Sequence, residues 1–109
     1  MIKSLWAVID AFDEGTLFSY DAASSVNGRR FGFMTESTAG EFALLGYGSA
    51  YTFYNIAVTG SDDGDWHHYC NTYDGTDWRL YFDGALVHTE PVALDTASDN
   101  PFTLGRRWV

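Results

Sequence analysis

Apolar and polar positions along this 109-residue chain alternate in short bursts. That period of two belongs to half-buried strands, whose successive side chains point to opposite faces. Bursts rich in aromatic and β-branched residues occupy 3–9, 16–20, 30–35, 41–45, 66–73, 78–82, 85–89 and 102–104, set apart by Gly, Asp, Asn and Ser. Residues 51–58 read as a further strand whose borders are blurred by the Gly and Ser around it. No window shows the i, i+3, i+4, i+7 stripe of an amphipathic helix. The expectation is an all-β fold, an antiparallel β-sandwich or barrel. Its length has room for a single domain, 1–109, with one core.

The C-terminal half is the sharpest part of the pattern. Asp83-Gly84, between Phe82 and Ala85, predicts a two-residue hairpin turn of type I′, which needs positive φ at both positions. An unbroken register then sets Phe82 opposite Ala85, Leu80 opposite Val87 and Arg79 opposite His88. Leu80, Phe82, Ala85 and Val87 share an apolar face, and Arg79, Tyr81, Leu86 and His88 share the other. Upstream, Asp74-Gly75-Thr76-Asp77 joins 66–73 to 78–82. An even loop places Asn71 on the Leu80 face, whereas one bulged residue places Cys70 there. The pattern leaves both open. The stretches Ala22–Gly28 and Gly60–Asp65 are small and polar, and read as exposed loops.

Charge narrows the partners. Basic minus acidic residues is 6 − 15 = −9. Such a field repels phosphate backbones and anionic headgroups, so neither nucleic acid nor a membrane surface is an expected partner. It suits cations, cationic partners or neutral ligands such as sugars, and it also serves plain solubility. No apolar run approaches the ~20 residues of a membrane span. Met1–Trp6 has no long apolar core or small-residue cleavage site, so it is not a signal peptide. A cytoplasmic protein or the trimmed part of a longer precursor fits that start, the latter implying an extracellular or cell-surface place. Cys70 is the only cysteine, so no disulfide closes within the chain.

The titratable residues argue against an enzyme. A glycosidase needs two carboxylates on rigid elements, roughly 5–10 Å apart. Here the acids fall mostly in turns, where Asp is a turn former. Glu41 opens a strand without a carboxylate two or four residues on. His67 and His68 point to opposite faces of one strand and cannot chelate one ion together. A packed, hydrogen-bonded imidazole beside Trp66 is the expected role, and Cys70 in mid-strand is expected to be buried and inert. Catalytic residues and cofactors are therefore expected to be none. Asp62, Asp63 and Asp65 cluster as oxygen ligands on a loop, the donor type that Ca²⁺ uses. Tyr47, Tyr51, Phe53 and Tyr54 lie in a Gly- and Ser-rich stretch where exposed rings can stack on sugar faces.

The run Trp66-His67-His68-Tyr69-Cys70-Asn71-Thr72-Tyr73-Asp74-Gly75, followed by Trp78-Arg79-Leu80-Tyr81-Phe82-Asp83-Gly84, resembles the signature of concanavalin A-like jelly rolls. Within them it is most similar to laminin-G-like and pentraxin domains. Thr16–Tyr20 matches the strand after the family's first turn, and Phe102–Arg106 its late leucine-glycine strand. The resemblance implies a jelly-roll sandwich and says little about ligand. His68, Cys70 and Thr72 match a pentraxin pattern, but its partner cysteine falls near Trp6 or Ala7 and is missing. Pentraxin-like calcium binding implies an Asp-Asn pair where this chain reads Val26-Asn27. The second acidic cluster is replaced by Arg106-Arg107, so Ca²⁺ is disfavoured and no metal site is expected. Nothing matches the Glu-x-Asp-x-x-Glu strand of the glucanase branch.

Such domains run to about 150–200 residues, and against them this chain lacks the first and closing strands. A fragment, or a minimal variant whose homodimer completes the sandwich, accounts for that. The expected function is a non-catalytic binding module for a carbohydrate or an extracellular protein. Its contacts are expected in the loops 21–28, 47–54 and 62–65, through Asp21, Asn27, Tyr47, Tyr51, Tyr54, Asp62, Asp63 and Asp65. The alternatives are a self-association domain without a small ligand and a degenerate relative of glycoside hydrolases.

Overall fold

The alternating bursts fold into strands that pair antiparallel throughout. The computed structural model describes residues 2–9, 12, 15–20, 31–47, 51–93 and 102–104. Its strands are β1 (Ile2–Val8), β2 (Gly15–Tyr20), β3 (Phe31–Thr35), β4 (Glu41–Tyr47), β5 (Tyr51–Ala57), β6 (Trp66–Tyr73), β7 (Asp77–Phe82), β8 (Ala85–Pro91) and β9 (Phe102–Leu104). A four-stranded sheet runs β1-β6-β7-β8, and a five-stranded sheet runs β5-β4-β3-β2-β9. The blurred segment at 51–58 is a strand, seven residues long and paired along its whole length with β4.

The core lies between the sheets, where the inward set of each strand meets the other's. Phe33 and Phe42 stack at 5.3 Å with an interplanar angle of 6°, and Tyr69 of the opposite sheet tilts against Phe42 at 5.1 Å. Trp78, Leu80, Phe18 and Leu44 are fully buried around them. Burying side chains of this size contributes roughly 1.5–3 kcal/mol each, which offsets the cost of ordering the strands. Met34, Ala43 and Leu45 form a second buried cluster. By alternation along β3 and β4 they lie on the far face of the five-stranded sheet from Phe33 and Phe42.

The even loop is the one adopted between β6 and β7. Asn71 pairs with Leu80, faces inward, and accepts a 2.7 Å hydrogen bond from the Trp78 indole Nε1. Asp74 makes that turn: its carboxylate accepts the N–H groups of Thr76 and Asp77 at 2.8 and 2.7 Å. Cys70 consequently faces outward and is half-buried rather than fully buried, because the register hands the inward place to Asn71.

The β7–β8 hairpin has the expected turn, with φ of 50° at Asp83 and 83° at Gly84. Phe82 pairs with Ala85 and Tyr81 with Leu86, as the unbroken register requires. Beyond them the register shifts, and Leu80 pairs with His88 and Arg79 with Thr89. The expected Leu80–Val87 and Arg79–His88 pairs are therefore replaced. Val87 takes up the bulge and is exposed. His88 turns to the inner face, its ring 5.7 Å from Trp78 and its Nε2 3.0 Å from Glu90. Bulges blunt an edge strand, and among the described residues β8 is an edge of its sheet.

Candidate binding surfaces

Among the described residues, the sequence-predicted site residues do not share one surface, since Tyr54 packs on the core while Asp62, Asp63 and Asp65 are exposed. Tyr20 pairs with Phe31 and Tyr47 with Tyr51, so the 21–30 connection and the β4–β5 turn leave from one end of the five-stranded sheet. The β5–β6 connection carrying Asp62, Asp63 and Asp65 leaves from the other end, where Ala57 pairs with Glu41. Asp21 and Asn27 lie outside the described residues, as do the side chains of Tyr47 and Tyr51. Tyr54 is half-buried and packs against the core, because its partner Leu44 faces inward. Phe53, one residue earlier, takes the opposite face and is exposed.

Asp62, Asp63 and Asp65 are all exposed, but Asp63 is engaged. Its Oδ1 accepts the Asp65 N–H at 3.0 Å and contacts His67 Nε2 at 2.7 Å. The other imidazole nitrogen, Nδ1, lies 2.7 Å from Asp83 Oδ2 in the β7–β8 turn. Asp83 Oδ1 accepts the His68 N–H at 2.9 Å, which docks that turn onto β6. His67 stands at the inner rim of the sandwich, its side chain only 12% exposed and its ring 4.7 Å from Phe82. Two carboxylates on opposite sides of one ring are both satisfied only by an imidazolium that donates twice. Hydrogen bonds first to Asp63 and then to Asp83 accordingly raise the His67 pKa. The Asp65 N–H and His67 lower that of Asp63, and the His68 N–H and His67 lower that of Asp83. The cluster clamps a loop to a hairpin and leaves no ring nitrogen for a substrate.

Tyr69 sits inward of this clamp. Burial, reinforced by the Asp83 and Asp63 charges, pushes its hydroxyl pKa up to about 12. That hydroxyl and Asn71 Nδ2 are buried without a hydrogen-bond partner. Among the described residues no group of three or more His, Cys, Asp or Glu is arranged to hold a metal ion.

The outer face of the four-stranded sheet is a different kind of surface, and sequence reasoning missed it. The even-numbered residues of β1 and β6 point outward, so Trp6 pairs with His68 and Val8 with Trp66. Trp6 is 66% exposed and Trp66 64% exposed. The Trp6 ring leans on His68 at 5.2 Å. As diagonal neighbours across the β1–β6 ladder, the two tryptophans stand about 7–8 Å apart at the backbone. One row on, Ser4, Cys70, Tyr81 and Leu86 cross the sheet, followed by Ile2, Thr72, Arg79 and Thr89. Arg79 is held by Asp74 at 2.9 Å and by Asp77 at 3.1 Å. These two hold its pKa above the ordinary value, while the Asp77 N–H and then Arg79 hold the Asp74 carboxyl well below the usual range. The signal was present in the Trp6–Trp66 alternation, but it needed the β1–β6 pairing to place both rings on one surface.

Residues 3–109 match the model of a family, Laminin_G_3, described as the concanavalin A-like lectin/glucanases superfamily. Among curated proteins, none matches the sequence.

Proposed function

The chain belongs to the concanavalin A-like lectin/glucanases superfamily, and from that premise we propose that it is a non-catalytic binding module for carbohydrate or protein. One observation carries the reading. Of the six exposed large apolar side chains among the described residues, Ile2, Trp6, Trp66 and Leu86 lie on one sheet face. Concentrations of this kind mark contact surfaces, whereas apolar residues scattered singly are ordinary. The most enzyme-like cluster, Asp63–His67–Asp83, supports the same reading, since both ring nitrogens are used within the molecule. A free base or acid is what general catalysis requires. The loops at 21–28, 47–54 and 62–65 remain the second place for contact, with Asp62 and Asp65 exposed there.

The test pairs two assays on the same purified chain. Glycan and extracellular-protein arrays are expected to show saturable binding. Incubation with β-glucans is expected to release no reducing ends. Release that is lost in His67→Gln would replace the binding module by an enzyme.

A further inference from the structure

We propose that the outer face of the four-stranded sheet is a glycan-binding platform for a neutral oligosaccharide, with Trp6 and Trp66 as its stacking rings. This rests on the binding-module reading and assigns it a site and a ligand class. Three features of the face select the occupant. Trp6 and Trp66 each expose about two thirds of their surface on one side of one ladder. Rings on a sheet present flat apolar area with a polar N–H edge, which matches a pyranose with its C–H face and its hydroxyl rim.

Polar groups adjoin the rings. His68 adjoins both, directly opposite Trp6 and two residues along β6 from Trp66, with Ser4, Thr72, Tyr81 and Arg79 across the next two rows. Such side chains donate to and accept from hydroxyls. Arg79 is already fixed by Asp74 and Asp77, so its orientation does not have to be bought on binding.

The same ion cluster disfavours a second copy of the chain or another dry protein partner. Interface cores are depleted of charged residues, and covering an Arg with two carboxylates withdraws three charges from water. A hydrated sugar leaves them wet. The net charge of −9 then separates neutral from acidic glycans, because a sulfated or sialylated chain meets a repulsive field.

The experiment measures binding of the chain to neutral hexasaccharides of glucose, mannose and N-acetylglucosamine, with a heparin hexasaccharide as the acidic arm. Trp6→Ala, Trp66→Ala and Trp66→Phe are compared with Phe53→Ala, an exposed aromatic on the five-stranded sheet. Circular dichroism melting of each variant checks that the fold is kept. The expected result is binding of at least one neutral hexasaccharide, weakened about tenfold or more by either Trp→Ala change. Trp66→Phe is expected to retain part of the affinity and Phe53→Ala all of it. Neutral-glycan binding that survives both Trp→Ala changes overturns the site while leaving the binding module standing. Binding of heparin alone overturns the ligand class. No glycan binding by the parent chain overturns the proposal. A dimer in sedimentation that Trp6→Ala dissociates would then assign the face to a second copy.

Discussion

The two outward faces of this sandwich are built from the same kind of strand and end in opposite states. On the five-stranded sheet, Met34, Ala43 and Leu45 point away from the inter-sheet core and are nevertheless buried. On the four-stranded sheet, Trp6, Trp66 and Leu86 occupy equivalent outward positions and remain exposed. Hydrophobicity does not separate them, since the bare face carries the larger side chains. An apolar outward residue is therefore either part of a second core or left bare, and its surroundings decide which.

That contrast breaks most readily at Leu45. Leu45→Ala is expected to lower unfolding free energy in urea by about 2–5 kcal/mol, the usual cost of a cavity at a buried site. A loss as small as that of a surface change would mean that the second cluster is not a packed one. The two faces of a single strand, β6, supply the next test. Asn71→Ala is expected to cost about 1–3 kcal/mol, because it strands the Trp78 indole N–H in the core. Tyr69→Phe removes a hydroxyl that already lacks a partner, and is expected to be neutral or stabilising in the same urea titration.

The clamp at the rim predicts a pH window. His67 has a raised pKa, so its contribution is complete below the imidazole's ordinary 6.5 and is lost as pH rises through the raised value. Asp63 and Asp83 have lowered values, so theirs is complete above the ordinary 3.8 and is lost as pH falls through the lowered ones. The clamp therefore stabilises most between those two ordinary values. The urea midpoint at about pH 5.5 is expected to exceed that at about pH 8.5 by more in the parent than in His67→Gln. An equal difference in both proteins would remove His67 from the pH response. The smallest effect is reserved for the bare face. Leu86→Ala is expected to stay within about 0.5 kcal/mol of the parent, as surface substitutions usually do.

Much of the fold was readable before any coordinates. Strand positions, the type I′ turn at Asp83-Gly84 and the opposite facing of His67 and His68 all follow from local rules of twist and alternation. The family resemblance pointed to the same sandwich, and the family match over residues 3–109 bears it out. Val87 was misassigned because a bulge shifts every later side chain to the other face. A bulge answers to the twist of an edge strand rather than to the polarity of its residues. Cys70 followed from the same kind of ambiguity, one turn earlier in the chain. The candidate site was less readable still. Asp63 was placed as a loop ligand, but its partner His67 and the distant Asp83 complete a clamp that no spacing along the chain announces.

The sequence by itself determined which residues alternate, where the chain turns, and that its net charge is −9. Only the tertiary structure decided which of each alternating set faces the core, which outward set is covered, and which carboxylates meet His67. The physical reason is range. Alternation and turn geometry are set within a few residues, whereas burial and ion pairing depend on what another strand brings across the gap.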